Sequence, residues 1–216
     1  MKYFAAVTTF VAVSLKGIVA SVSRSDGLTL CPSAIVIDST SINVDGNDIQ
    51  KTTFVCPDRS LSARSDTHTL LLASRPSIFG LNHTQELQHR SVGECRTSVP
   101  ECQCGQTTFC SCNQVTPSAP VGGDCQTLVR SLQVIPEVEG PTFVVPAQGS
   151  QLLQFHTCAI LWSNLMTSGP LEYCWDELSE IATLANQNCI TQAVSTGGAC
   201  DTIQHIWIMQ MFRVAT

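Results

Sequence analysis

The stretch PTFVVPAQGSQLLQFHTCAILW, residues 141–162, decides the fold. TFVV at 142–145 is a β-branched and aromatic run between Pro141 and Pro146, which predicts a short strand. LLQF at 152–155 and CAILW at 158–162 continue as one long strand or two consecutive ones. Each flank then supplies a helix. Upstream, Asp124 can cap a helix whose inward face is Cys125, Leu128, Val129, Leu132 and Ile135, spaced three or four apart, with Pro136 as its stop. Downstream, Pro170 suits a first helical position, and Leu171, Cys174, Trp175, Leu178, Ile181, Ala182 and Ala185 form one face. Glu172, Asp176, Glu177 and Glu180 mark the opposite, solvated face. Gly197 and Gly198 break the chain, and residues 203–214 predict a strand apolar on both faces, hence a central one. With TTF at 107–109 as a first edge strand, the order is β-α-β-β-α-β. That order defines an α+β fold: a small antiparallel sheet with two helices on one face, the split βαβ or α/β sandwich arrangement.

The first half of the chain reads differently. AIVI at 34–37 and TTFV at 52–55 are strand-like, and Asp45-Gly46 is a turn signal between them. Cys31 and Cys56 at the two ends suggest a small β-hairpin module closed by a Cys31–Cys56 bridge. Residues 57–94 are rich in Ser and Arg, with only 70–72 and 78–79 able to anchor them, and read as a linker. Residues 1–20, MKYFAAVTTFVAVSLKGIVA, have the form of a signal peptide, with Ile18 and Ala20 before a cleavage point. Their apolar run of about a dozen residues is too short to span a bilayer core of roughly 30 Å. The expected organisation is a leader at 1–20, the hairpin and linker at 21–95, and a cysteine-rich sandwich domain at 96–216. A secreted, extracellular protein follows, with no membrane anchor.

All 12 cysteines lie beyond the leader: Cys31, Cys56, Cys95, Cys102, Cys104, Cys110, Cys112, Cys125, Cys158, Cys174, Cys189 and Cys200. An even count behind a signal peptide implies a disulfide framework of up to six bridges. A helix between Cys174 and Cys189 would hold their Cα atoms far beyond the ~5.5–6 Å that a bridge requires. Cys174 is therefore expected to pair with Cys158 or Cys125, and Cys189 with Cys200 or a cysteine of the 102–112 cluster. Asn82-His83-Thr84 is a glycosylation sequon. The formal charge of −6 argues against a nucleic-acid partner, which needs clustered Lys and Arg.

Little in the sequence carries chemistry. Cys102-x-Cys104 and Cys110-x-Cys112 could hold zinc as four thiolates, but structural sites favour two-residue gaps and an oxidising compartment favours disulfides. A thiol-exchange enzyme wants a CxxC at a helix start, and the sequence has none. His156 and Cys158 lack a third group to orient a nucleophile, and His205 reads as a core or rim histidine beside Trp207. Glu172, Asp176, Glu177 and Glu180, with Glu137 and Glu139, are the candidates for a glycosidase-type carboxylate pair, though acids on a helix's polar side are ordinarily its solvated face. Trp162, Tyr173 and Trp175 could line one shallow ligand groove. No metal, no cofactor and no enzymatic activity are expected.

The string CGQTTF at 104–109, Asp124-Cys125, FVV at 143–145, QLLQF at 151–155, Thr157-Cys158-Ala159, GGAC at 197–200 and the later Trp207 resembles one family. It is similar to the fungal secreted effectors grouped as homologues of a necrosis-inducing, cysteine-rich extracellular protein of a leaf-mould pathogen. The resemblance implies a killer-toxin-like α/β sandwich, with Cys104, Cys125, Cys158 and Cys200 as framework cysteines. Cys102, Cys110, Cys112, Cys174, Cys189 and the N-terminal segment depart from the family pattern. The implied role is a secreted, non-enzymatic fungal effector, a virulence or toxin-like glycoprotein. Its partner would be a host or competitor cell-surface protein or glycan. The alternative is a secreted glycan-binding, lectin-like module.

Overall fold

The computed structural model describes residues 33–57, 78–80, 95 and 101–214. The leader, Cys31, Asn82 and most of the expected linker lie outside the described residues; Cys56 is disulfide-bonded. The fold is α+β, with a large antiparallel sheet, two helices among the described residues, and several disulfides.

The central hairpin is β7 (Gly149–Phe155) and β8 (Cys158–Asn164), two strands joined by a turn in which His156 takes φ 48. All seven residues of β8 are buried. The reason is its neighbours: β7 lies on one edge, β11 (Trp207–Arg213) on the other, and both faces are packed. Ile160 and Trp162 join the helix-side core, while Ala159 and Leu161 join Phe54, Phe212 and Val214 on the opposite side. Such two-sided burial is what an uncharged CAILWSN strand predicts.

Around this hairpin the sheet is larger than expected, running β1 (Ile35–Val44), β2 (Asn47–Val55), β7, β8, β11, β10 (Gly197–Thr202), β5 (Thr108–Asn113) and β3 (Ile78–Gly80) from edge to edge. β1 (Ile35–Val44) and β2 (Asn47–Val55) form the expected hairpin, with Asp45 (φ 52) and Gly46 (φ 80) in the turn. Positive φ at both turn residues matches the right-handed strand twist. The hairpin is not a separate module, however. β2 pairs with β7 over Gln50–Gln154 to Val55–Gly149, and Ile49 and Phe54 are buried by that union. Thus the expected boundary at residue 95 does not divide the sheet. β5 (Thr108–Asn113) fills the place of the expected 107–109 edge strand, with β3 (Ile78–Gly80) paired outside it.

Four expectations about element boundaries are corrected. Helix α1 (Gly122–Glu139) starts before Asp124 and runs through Pro136. Asp124 does not cap it; its Oδ2 instead accepts from Thr157 N (3.1 Å) and Oγ1 (2.6 Å), fastening the first turn to the β7–β8 turn. The second helix, α2, spans Trp175–Ala185 and passes into a π-helical turn (Asn186–Thr191). Residues 171–174 are not helical: they are β9 (Leu171–Cys174), paired antiparallel with β6 (Thr142–Val145) and parallel with β4 (Glu101–Cys102). β9 is flanked by a strand on each edge, and all four of its residues are buried. The last strand starts late, because Ile203 is exposed and His205 takes φ 52 in a turn after β10 (Gly197–Thr202).

Gly197 and Gly198 do not break the chain; they thin a strand. A Cβ on Gly197 would lie 2.6 Å from Val115 Cγ2 and 2.7 Å from the Met211 carbonyl oxygen. On Gly198 it would sit 3.3 Å from the Cys189 sulfur. Gly197→Ala should therefore destabilise the chain by about 1–3 kcal/mol through overpacking against backbone. Urea unfolding midpoints measure it, and an unchanged midpoint would show that Val115 and β11 yield freely.

Five bridges join described cysteines: Cys95–Cys102, Cys104–Cys174, Cys110–Cys200, Cys112–Cys189 and Cys125–Cys158. Cys174 and Cys189 are not joined, as the intervening helix requires. Cys189 pairs within the 102–112 cluster, at Cys112. The partner expected for Cys174 is overturned: Cys158 and Cys125 pair with each other, and Cys174 bonds Cys104. The cause is the strand β9, which runs parallel to β4 and so brings Cys174 alongside Cys104, two residues past the end of β4.

Candidate functional site

Of the groups singled out for chemistry, Cys102, Cys104, Glu172, Cys174 and Glu177 meet where residues 101–105 dock on β9 and the start of α2. Glu101 N donates to the Pro170 carbonyl (3.3 Å) and Gln103 N to the Glu172 carbonyl (2.8 Å). Gly105, at φ 78, donates its N–H to Glu177 Oε1 at 2.5 Å. The Cys104–Cys174 bridge lies between these contacts. On the other edge, Thr142 Oγ1 donates to Glu172 Oε1 at 2.5 Å.

Glu172 and Glu177, expected on a solvated helix face, are therefore buried and hydrogen-bonded, while Asp176 and Glu180 are exposed. Glu172 lies inside because it belongs to β9, and Glu177 because its carboxylate receives the Gly105 amide. Glu139 is ion-paired with Lys51, tying α1 to β2, and Glu137 is exposed. Both interior acids are thus engaged by donors of the fold itself.

Trp162, Tyr173 and Trp175 do come together, but as core, so the expected groove is corrected. All three are buried with Phe143 and Trp207. Trp162 stacks on Tyr173 with ring centroids 5.4 Å apart and on Trp207 at 5.6 Å, and Phe143 lies 4.3 Å from Trp175. β8 and β11 of the large sheet bring Trp162 and Trp207, β9 and β6 of the small sheet bring Tyr173 and Phe143, and α2 brings Trp175 as its first residue, all of them buried.

The Tyr173 hydroxyl is held protonated well above its ordinary range, first by burial, then by the negative charges of Glu177 and Glu180 and its hydrogen bond to Glu177. The unfolded chain releases that proton near pH 10, whereas the folded chain retains it. Stability from this group is complete below pH ~10 and declines as pH rises above it. Tyr173→Phe should flatten that alkaline decline, measured as unfolding midpoints against pH. Identical slopes in both proteins would contradict the assignment.

The remaining candidates are bound up in structure. Cys102, Cys104, Cys110 and Cys112 bond four different partners, so the cluster offers no thiolates for zinc. The sulfurs of Cys95, Cys104 and Cys174 lie within 4.8 Å of one another, yet each is in a bridge. Cys158 is bonded to Cys125, which removes the His156/Cys158 nucleophile. His205 is exposed rather than in the core; its Nδ1 lies 2.6 Å from Asp201 Oδ2.

Of the four cysteines in the family resemblance, Cys125 and Cys158 pair together, while Cys104 and Cys200 bond Cys174 and Cys110. Comparison with protein-family models, with curated proteins and with solved structures finds no match. Among the described residues, no helix is long and apolar enough to cross a membrane.

Proposed function

We propose that this chain is a secreted, non-enzymatic, disulfide-stapled effector or toxin-like protein of fungal type, acting on a host or competitor cell. The observation that carries this reading is the use of its reactive side chains. Every described cysteine is in a bridge, and both interior acids of the 101–105 dock serve backbone or side-chain donors of the fold. Bridges spanning 70, 90 and 77 residues hold distant segments of one sheet and helix layer together. Such cross-linking suits a small protein that must survive outside the cell. The leader and the family resemblance supply the direction of the role. The glycan-binding reading rested on Trp162, Tyr173 and Trp175, which lie in the core, so no surface observation favours it.

Purified protein applied to plant tissue and to competing hyphae should produce necrosis, an immune response or a growth change. The same protein, reduced and alkylated, should produce none. Inactivity of the native protein on both targets would count decisively against an effector role.

A further inference from the structure

Two of the bridges are neighbours. The sulfur of Cys95, bonded to Cys102, lies 3.4 Å from the sulfur of Cys104, which is bonded to Cys174. Their exposure differs: Cys95 and Cys102 are half-buried, whereas Cys104 and Cys174 are buried. A reductant from solution therefore meets the first bridge before the second. Cys174 is also the residue immediately before α2, at the positive end of the helix. A thiolate is stabilised there and is a better leaving group for it. Asp176 and Glu177 in the first turn oppose part of that effect.

We propose that the Cys95–Cys102 and Cys104–Cys174 bridges form an exchange pair through which reduction at the surface is passed inward. An external dithiol reduces Cys95–Cys102, becoming a disulfide itself and leaving two thiols. The Cys95 thiolate then attacks the Cys104 sulfur. A Cys95–Cys104 bond forms, the Cys104–Cys174 bond breaks, and the electron pair leaves on Cys174, which takes a proton from solvent. The net product of the two-electron reduction is a Cys95–Cys104 bridge with free thiols at Cys102 and Cys174. Attack on a disulfide runs in line with the breaking bond, and the Cys95 sulfur stands to one side of that line, within 4.8 Å of both target sulfurs. Release from Cys102 gives the Cys95 side chain the rotation it needs.

The consequence is local. A cross-link spanning 70 residues is replaced by one spanning nine. The 101–105 segment then keeps its hydrogen bonds to Pro170, Glu172 and Glu177, but its covalent tie to the end of β9 is gone. The Gln103 and Gly105 amides become faster to exchange with solvent.

The test is a brief exposure of the native protein to a small dithiol, an acid quench, alkylation of free thiols and tandem fragmentation of the peptides. Arg96 separates Cys95 from the other cysteines, and fragment ions between Cys102 and Cys104 place the new bond. The expected product carries label on Cys102 and Cys174 with Cys95 joined to Cys104. Label on Cys95 and Cys102 alone, label on Cys104 and Cys174 together, or simultaneous loss of all bridges would each overturn the proposal. In the Cys95→Ser/Cys102→Ser variant, Cys174 labelling at the same dose should drop by about tenfold or more. An unchanged rate of Cys174 labelling overturns the exchange route. The wild-type mapping stands by itself if that variant does not fold.

Discussion

Replacing Cys110 and Cys200 together by alanine is expected to cost about 3 kcal/mol, only slightly more than replacing Cys95 and Cys102 together, although the first pair spans 90 residues and the second 7. The reason is the neighbouring Cys112–Cys189 bridge, which stays in the variant and already closes most of the long loop. Through that bridge Cys110 reaches Cys200 by two residues to Cys112 and eleven from Cys189, so the extra loop is about 13 residues. Loop-closure entropy grows with the logarithm of length, giving about 2.9 and about 2.4 kcal/mol for the two loops. In the folded state both ends of the long bridge are buried and directly opposed, Cys110 on β5 and Cys200 on β10. The strands stay hydrogen-bonded without it, so the native pairing survives and the loss falls mainly on the unfolded side. Denaturant unfolding of both double variants measures this, with the m-value of the Cys110/Cys200 variant close to that of the parent because Cys112–Cys189 still restrains the unfolded chain. A loss of about 5 kcal/mol or more from the Cys110/Cys200 variant would show that native-state packing, not chain entropy, sets what this bridge contributes.

The parts of this fold legible in the sequence are those where one pattern has one solution. CAILW cannot be left half-exposed, and it forms the buried middle of the sheet. The 3–4 spacing of Cys125, Leu128, Val129, Leu132 and Ile135 puts these residues on the inner face of α1, as expected. Asp45-Gly46 makes its turn. The misreadings occur where two periods agree. Leu171, Cys174, Trp175 and Leu178 satisfy a helical spacing, yet the first two lie on a strand and only the last two on α2. Four residues cannot separate a period of 2.0 from one of 3.6, and Pro170 suits either start. The candidate site was hidden for the same reason. Glu172 as a helix residue faces water, whereas as a strand residue it faces Thr142. The contact between Gly105 and Glu177 spans 72 residues and follows only from the Cys104–Cys174 bridge, which spacing cannot assign. Likewise, no local signal told that β2 would complete the sheet at β7.

Trp162→Ala should be the most damaging single substitution in the aromatic core, at about 3–5 kcal/mol. Trp162 is buried at the middle of β8 and touches three rings: Tyr173 and Trp207 in stacked geometry, and Phe143 edge-on at 5.5 Å. Truncation removes those contacts, worth about 0.5–1.5 kcal/mol per pair beyond area burial. It also leaves a cavity that β8 cannot collapse into, because β7 and β11 fix it on both edges. Trp162→Phe is the informative companion. Among the described residues the buried Trp162 indole N–H has no hydrogen-bond partner, so phenylalanine keeps a ring in the stack while removing a donor unsatisfied by them. Its loss should be well under half that of alanine. Thermal or denaturant unfolding of the two variants measures the difference, with near-ultraviolet dichroism reporting whether the stack persists. Were Trp162 instead part of a ligand platform, alanine would cost little stability and would abolish glycan retention; a large stability loss with intact dichroism in the phenylalanine variant places the residue in the core.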